Sequence, residues 1–185
     1  MISSSSASTA KLDTKRVFLI AERVRKFLGP KWTHWHVTRL DDRAIPDIAS
    51  TGMCRYSSLF LRMALDAETE GAWVIRGGAG GAAHDEDAAG YLMPDGSYRG
   101  HYWVETLSGD LIVDITADQF GGDDLIVGRP SQRRLSGYSP SSIECHLKFV
   151  RKTVEEWFHE YLETYQLEVK NLSDEVEDKP AEPTF

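Results

Sequence analysis

Three residues in the middle of the chain have types and spacing that suit covalent chemistry: Cys54, His101 and Asp114. A thiolate attacks a carbonyl carbon, and a neighbouring imidazole takes or holds its proton. A carboxylate on the far ring nitrogen fixes the tautomer and stabilises the imidazolium. Cys54 follows Ser50-Thr51-Gly52 and opens a predicted helix, with Ser50 or Thr51 as its expected cap. Helix N-termini are places where the positive end of the dipole lowers thiol pKa values. The plainer alternative is a small buried apolar side chain, because free cysteine is among the most buried residue types.

His101 and Asp114 fall on two predicted strands, 100–107 and 111–116, that form a hairpin. Its turn is either the pair Ser108-Gly109 or the four residues 107–110. Both place residue i opposite residue 217 minus i. Tyr102, Val104 and Thr106 then share a face with Leu111, Val113 and Ile115, an apolar face fit for a core. The other face carries His101, Trp103 and Glu105 beside Ile112, Asp114 and Thr116. His101 opposes Thr116 and is the diagonal neighbour of Asp114. Diagonal partners lie about 7–8 Å apart, within reach of an imidazole–carboxylate hydrogen bond. A three-residue turn would instead send Asp114 to the opposite face. A purely structural pair inside the hairpin is the competing reading of these two residues.

The surrounding elements must position this set. Val17, Ile20, Ala21, Val24 and Phe27/Leu28 repeat at helical spacing, and Gly29-Pro30 is expected to stop that helix. Tyr56, Leu59, Phe60, Met63, Ala64 and Ala67 form a second apolar stripe behind Cys54. A third runs through Val150, Val154, Trp157, Phe158, Tyr161 and Tyr165. Further strands are expected at 72–76 and, more weakly patterned, at 124–127, with a turn at Pro94-Asp95-Gly96. Helices first, strands in the middle and a helix last predict an α+β domain with an antiparallel sheet.

The segments GMCRYSSLFLRMAL (52–65), GHYWVET (100–106) and LIVDITADQF (111–120) together resemble the transglutaminase-like branch of the papain-like cysteine enzymes. In that family a Gly-x-Cys opens a helix, a His-x-Trp-Val motif lies on one strand and an Asp-x-Thr motif on the next. The order Cys, His, Asp and the intervals of 47 (54 to 101) and 13 (101 to 114) suit a compact member. The strand AWVIR followed by glycine is similar as well. The resemblance spans about residues 50–120. It implies a papain-like core in which the helix bearing the nucleophilic cysteine packs on an antiparallel sheet between flanking N- and C-terminal helices. It also implies Cys54 as nucleophile, His101 as base and Asp114 as the orienting acid. Arg55 departs from the pattern, since crosslinking members carry an aromatic residue after the cysteine. Hydrolysis, deamidation or acyl transfer is then expected in place of crosslinking. The Cys54 backbone N–H is one natural oxyanion donor, with Gln119 or a side chain of segment 32–36 as the second. The implied substrate is a peptide, a protein or a small amide or thioester, and no cofactor is needed.

Other features suggest less. The glycine run 77–81 lacks a following Lys-Ser/Thr, so it is not a phosphate-binding loop. It is expected to begin a flexible loop, 77–99, that covers the site as a lid or flap. His84-Asp85-Glu86-Asp87 offers oxygen ligands for a hard cation, but most such runs are solvated. His34-x-His36 lacks a third zinc ligand at familiar spacing. Trp103 and Trp157 are read as packing residues, and Cys145, beside His146, as structural.

Composition sets the outer limits. A length of 185 residues fits one domain. Hydrophobic residues at 41 % and charged ones at 27 % are ordinary for a globular chain. Two cysteines do not make a disulfide framework, which points to a reducing compartment. Residues 1–40 carry eight Lys/Arg and two Asp/Glu, or +6, leaving −14 for the rest of a chain whose net charge is −8. That balance argues against nucleic-acid coating. No apolar run is long enough for a membrane span, and the N-terminus lacks the layout of a secretory signal, so a cytoplasmic protein is expected. Residues 1–10 and 171–185 read as a disordered and an acidic tail around a single domain at 11–170. Two other functions compete with the cysteine enzyme: a non-catalytic binding module on the same scaffold, and a metal-dependent hydrolase built from His34, His36 and His101 or the acidic loop.

Overall fold

A computed structural model of the chain describes residues 13–39, 45–82, 88–132, 135, 137–140 and 145–177, with 166–177 described by backbone alone. The expected tail at 1–10 and the acidic run at 84–87 lie outside the described residues. The architecture is α+β. Three helices, α1 (Thr14–Arg39), α2 (Cys54–Glu68) and α3 (Arg151–Glu177), accompany six strands in one antiparallel sheet. The strands are β1 (Trp73–Gly81), β2 (Gly90–Leu92), β3 (Tyr98–Thr106), β4 (Ile112–Asp114), β5 (Ile126–Gly128) and β6 (Tyr138–Ser139). No helix among the described residues is long and apolar enough to cross a membrane.

β3 is the organising strand. β1 pairs along one of its edges from Trp73↔Thr106 to Gly81↔Tyr98. Its other edge is shared: β4 takes Val104 and Glu105, and β2 takes Tyr98 and Arg99. His101 falls between those two short partners. Val104↔Val113 and Glu105↔Ile112 reproduce the sum of 217 expected from the four-residue loop. That loop closes through Thr106 N–H to the Leu111 carbonyl and a left-handed Gly109 at φ 74°.

Strand alternation sends Val104 and Val113 into a main core with Leu111 and Ile115. There they meet α1 (Val17, Ile20, Val24, Leu28), α2 (Leu59, Phe60, Leu65) and α3 (Val154, Tyr161). The opposite face of the same strands holds a smaller cluster of Trp103, Ile112, Ala117, Ile126 and Leu135.

Two sequence expectations fail here. α1 does not stop at Gly29-Pro30 but continues to Arg39, with Pro30 on its exposed side. A mid-helix proline removes one hydrogen bond and costs about 3 kcal/mol. The next two turns offset that by burying Trp32 and His36, which extend the stripe of Val24 and Leu28. Nor is the glycine run 77–81 the start of a flexible lid, because it is the second half of β1. A Cβ on Gly77, at φ +126°, would stand 2.0 Å from the His101 carbonyl oxygen. Gly90 of β2 is equally close, its notional Cβ 2.1 Å from the Arg99 carbonyl oxygen. Glycine is needed there because two strands close tightly on the backbone around His101. α3 runs on to Glu177, into the stretch read as an acidic tail.

Candidate active site

Gly52 turns the chain at φ +71°, and α2 begins at Cys54 with Met53 as its N-cap. No side chain caps it, contrary to expectation. Ser50 is spent elsewhere, donating to Asp118 at 2.5 Å. The first hydrogen bond of the helix is Ser57 N–H to the Met53 carbonyl, so the Cys54 N–H has no intrahelical acceptor. α2 packs on β1 and β3, which brings its first residue to the His101 region of the sheet. Cys54 is buried at 6 % exposure and His101 at 0 %.

His101 and Asp114 meet as the diagonal pairing predicts. The imidazole Nε2 lies 2.6 Å from Asp114 Oδ2, in a site where neither side chain is more than 2 % exposed. Asp114 accepts three more hydrogen bonds. Tyr138 Oη donates to Oδ2 at 2.7 Å, and Thr116 donates its backbone N–H and its hydroxyl to Oδ1 at 2.8 and 3.1 Å. Burial alone would favour the neutral carboxyl, but the His101 charge and these donors outweigh it and hold the Asp114 pKa below its usual value.

The imidazole shows the complementary effect. Burial opposes its charge, yet the Asp114 carboxylate and its hydrogen bond, with a further contribution from Cys54, push the ring up to about 9. Nδ1, the nitrogen facing away from Asp114, makes no aligned hydrogen bond; Trp32 Nε1 is the other buried side-chain nitrogen in that state among the described residues. The Cys54 thiol is close enough to the ring to contribute to its raised pKa. The three residues singled out by type and spacing share one site.

Aromatic rings wall the imidazole. Trp103 stacks on it at 5.8 Å between centroids, while Phe120 and Tyr91 meet it edge-on at 4.9 and 6.1 Å. Trp103 is in turn held by its indole N–H to Glu105, at 2.7 Å. Burial raises the pKa of that carboxyl, against the Trp103 hydrogen bond and the charge of Arg76.

Tyr138 escaped the sequence reading. It sits on the two-residue strand β6, too short for any alternation to register, and reaches Asp114 only because Tyr91↔Tyr138 pairing docks β6 beside β2. Both elements were absent from the expected strands.

The oxyanion donors proposed from sequence fare differently. Gln119 is engaged at both ends of its amide: Nε2 donates to the Thr116 carbonyl at 2.8 Å, and Oε1 accepts from Gly52 N–H at 3.2 Å. It ties the Asp114 turn to the Cys54 loop. In segment 32–36, His36 uses its ring on the Ala49 carbonyl at 3.1 Å, and Trp32 Nε1 remains free. Cys145 lies along β1, its N–H on the Ile75 carbonyl.

Of the two forms of the metal alternative, the one built on the acidic run 84–87 falls outside the described residues, and the one built on His34, His36 and His101 has those side chains in different surroundings. His34 faces a groove of about 670 Å³ between α1 and α3, His36 is buried against Ala49, and His101 sits in the sheet. Among the described residues no three His, Cys, Asp or Glu side chains cluster as metal ligands. Comparison with protein-family models, with curated proteins and with solved structures finds no match for this chain.

Proposed function

We propose that the chain is a cysteine-dependent hydrolase, deamidase or acyltransferase with a transglutaminase-like, papain-like core. The observation that carries this is the buried His101–Asp114 hydrogen bond, with the second ring nitrogen unpartnered and Cys54 near enough to the ring to act on its charge. Cys54 passes its proton to His101, its sulfur attacks the carbonyl carbon of an amide or thioester, and the carbonyl π pair moves onto oxygen. The Cys54 N–H is placed to donate to that oxygen. As the tetrahedral adduct collapses, the bond to nitrogen (or to the thioester sulfur) breaks, and His101 supplies the leaving group's proton. Water or an amine then attacks the acyl-enzyme and gives its proton to His101; the C–S bond breaks with its electron pair on sulfur, and His101 returns the proton to restore the thiol. Asp114 keeps Nε2 protonated and the ring oriented throughout. No cofactor enters this scheme, and a reducing environment suits the thiol.

The near-complete burial of Cys54 and His101 favours a second reading, a non-catalytic binding module in which the pair is structural. Alkylation by iodoacetamide, followed by mass spectrometry, separates the two. The enzyme reading expects Cys54 to label well ahead of Cys145 at pH 6, and His101→Gln to slow Cys54 at least tenfold in protein whose melting temperature shows it folded. Equal labelling of both cysteines, unaffected by His101→Gln, would sink the catalytic reading.

A further inference from the structure

Arg55 follows Cys54 directly on α2, and Tyr102 follows His101 directly on β3. Alternation puts Tyr102 on the opposite face of β3 from His101, so Arg55 reaches the site only through its place next to Cys54 at the start of α2. The Arg55 guanidinium carbon sits 5.3 Å from the ring centroid of Tyr102 and 5.3 Å from that of Phe149. Phe149 is 70 % exposed, although it is a large apolar residue. Arg23, Arg25, Arg62 and Arg151 are each paired with a carboxylate. Arg55 has no carboxylate partner among the described residues and stays exposed. Ring contacts hold a guanidinium in place without consuming its N–H donors. A planar fork of free donors is suited to bidentate capture of a carboxylate.

We propose that Arg55, clamped between Tyr102 and Phe149, is an anion-recognising subsite, and that the substrate carries a carboxylate near the carbonyl attacked by Cys54. This rests on the cysteine-enzyme reading and narrows its substrate class to acidic amides, peptides or thioesters. In a chain of net charge −8 such a substrate is repelled at long range, so a local cation at the nucleophile is needed to select it.

The test compares two alkylating agents that share a leaving group and differ in charge. The rate ratio of iodoacetate to iodoacetamide at Cys54 cancels any change in the thiolate fraction. Arg55→Gln is expected to lower that ratio about fivefold at low salt, the effect of roughly 1 kcal/mol at a solvent-exposed charge. Arg55→Lys should keep part of it, added salt should narrow the wild-type preference, and Cys145 should show no dependence on Arg55. A ratio unchanged in Arg55→Gln, with Cys54 still labelled ahead of Cys145, overturns the subsite alone. Failure of both reagents at Cys54 overturns the nucleophile, and the subsite with it.

Discussion

The two faces of the β3–β4 hairpin are made by alternate residues of the same strands, yet they do different work. One face presents Val104 and Val113 to three helices through dispersion and apolar burial. The other presents His101, Trp103, Glu105 and Asp114, where nearly every polar atom has a partner of fixed direction. An apolar face relaxes partly around a lost methylene group. A buried polar network does not, because each orphaned donor or charge loses its water without replacement. One hairpin thus joins a tolerant support to an intolerant site, and a slip of one residue would exchange them.

The sharpest way to break that contrast is Asp114→Ala. It strands His101 Nε2, the Tyr138 hydroxyl and both Thr116 donors, and removes the countercharge from a buried ring. The expected loss is about 3–5 kcal/mol in urea unfolding. Asp114→Asn keeps the shape and exposes the linkage. Because the folded His101 pKa is raised from 6.5 to about 9, its contribution is complete below pH 6.5 and is lost as pH rises through about 9. Because the Asp114 pKa is lowered from 3.8, its contribution is present above that value and is lost as pH falls through the depressed one. The melting-temperature deficit of Asp114→Asn should therefore be widest between pH 3.8 and 6.5 and shrink toward and beyond pH 9. A deficit that does not vary with pH would show that the pair carries no charge.

On the supporting face, Ile75→Ala opens a cavity opposite Val104. It is expected to cost about 2–5 kcal/mol while leaving the Cys54 alkylation rate of the folded protein within a factor of two. A collapse of Cys54 reactivity at full folding would mean that the two faces are not separable.

Tyr138→Phe should have the smallest effect, about 1.5 kcal/mol, since three donors to Asp114 remain. With one donor fewer, Asp114 titrates at a higher pH, so the acid arm of the melting profile should shift upward. An unmoved acid arm would make Tyr138 a packing residue only.

Local periodicity explains what was legible in the sequence. The sum of 217 followed from a loop with glycine at its left-handed position and from two alternating strands. That register alone placed His101 diagonal to Asp114. Cys54 was legible as a helix start because an apolar stripe follows it at helical spacing. Glycine misled twice, since Gly29 with Pro30 looked like a stop and 77–81 looked like slack. Both depended on what packs nearby: Trp32 and His36 carried α1 onward, and the His101 backbone demanded a strand without side chains beside it.

The sequence by itself therefore determined the α+β pattern, the helix start at Cys54 and the pairing of His101 with Asp114, because these depend on neighbours within about a dozen residues. Only the tertiary structure decided that α2 would bring Cys54 to that pair, that Tyr138 would cap Asp114 and that Arg55 would lie between the rings of Tyr102 and Phe149. Each of those contacts joins residues tens of positions apart, and their geometry exists only once helices and sheet have packed around one core.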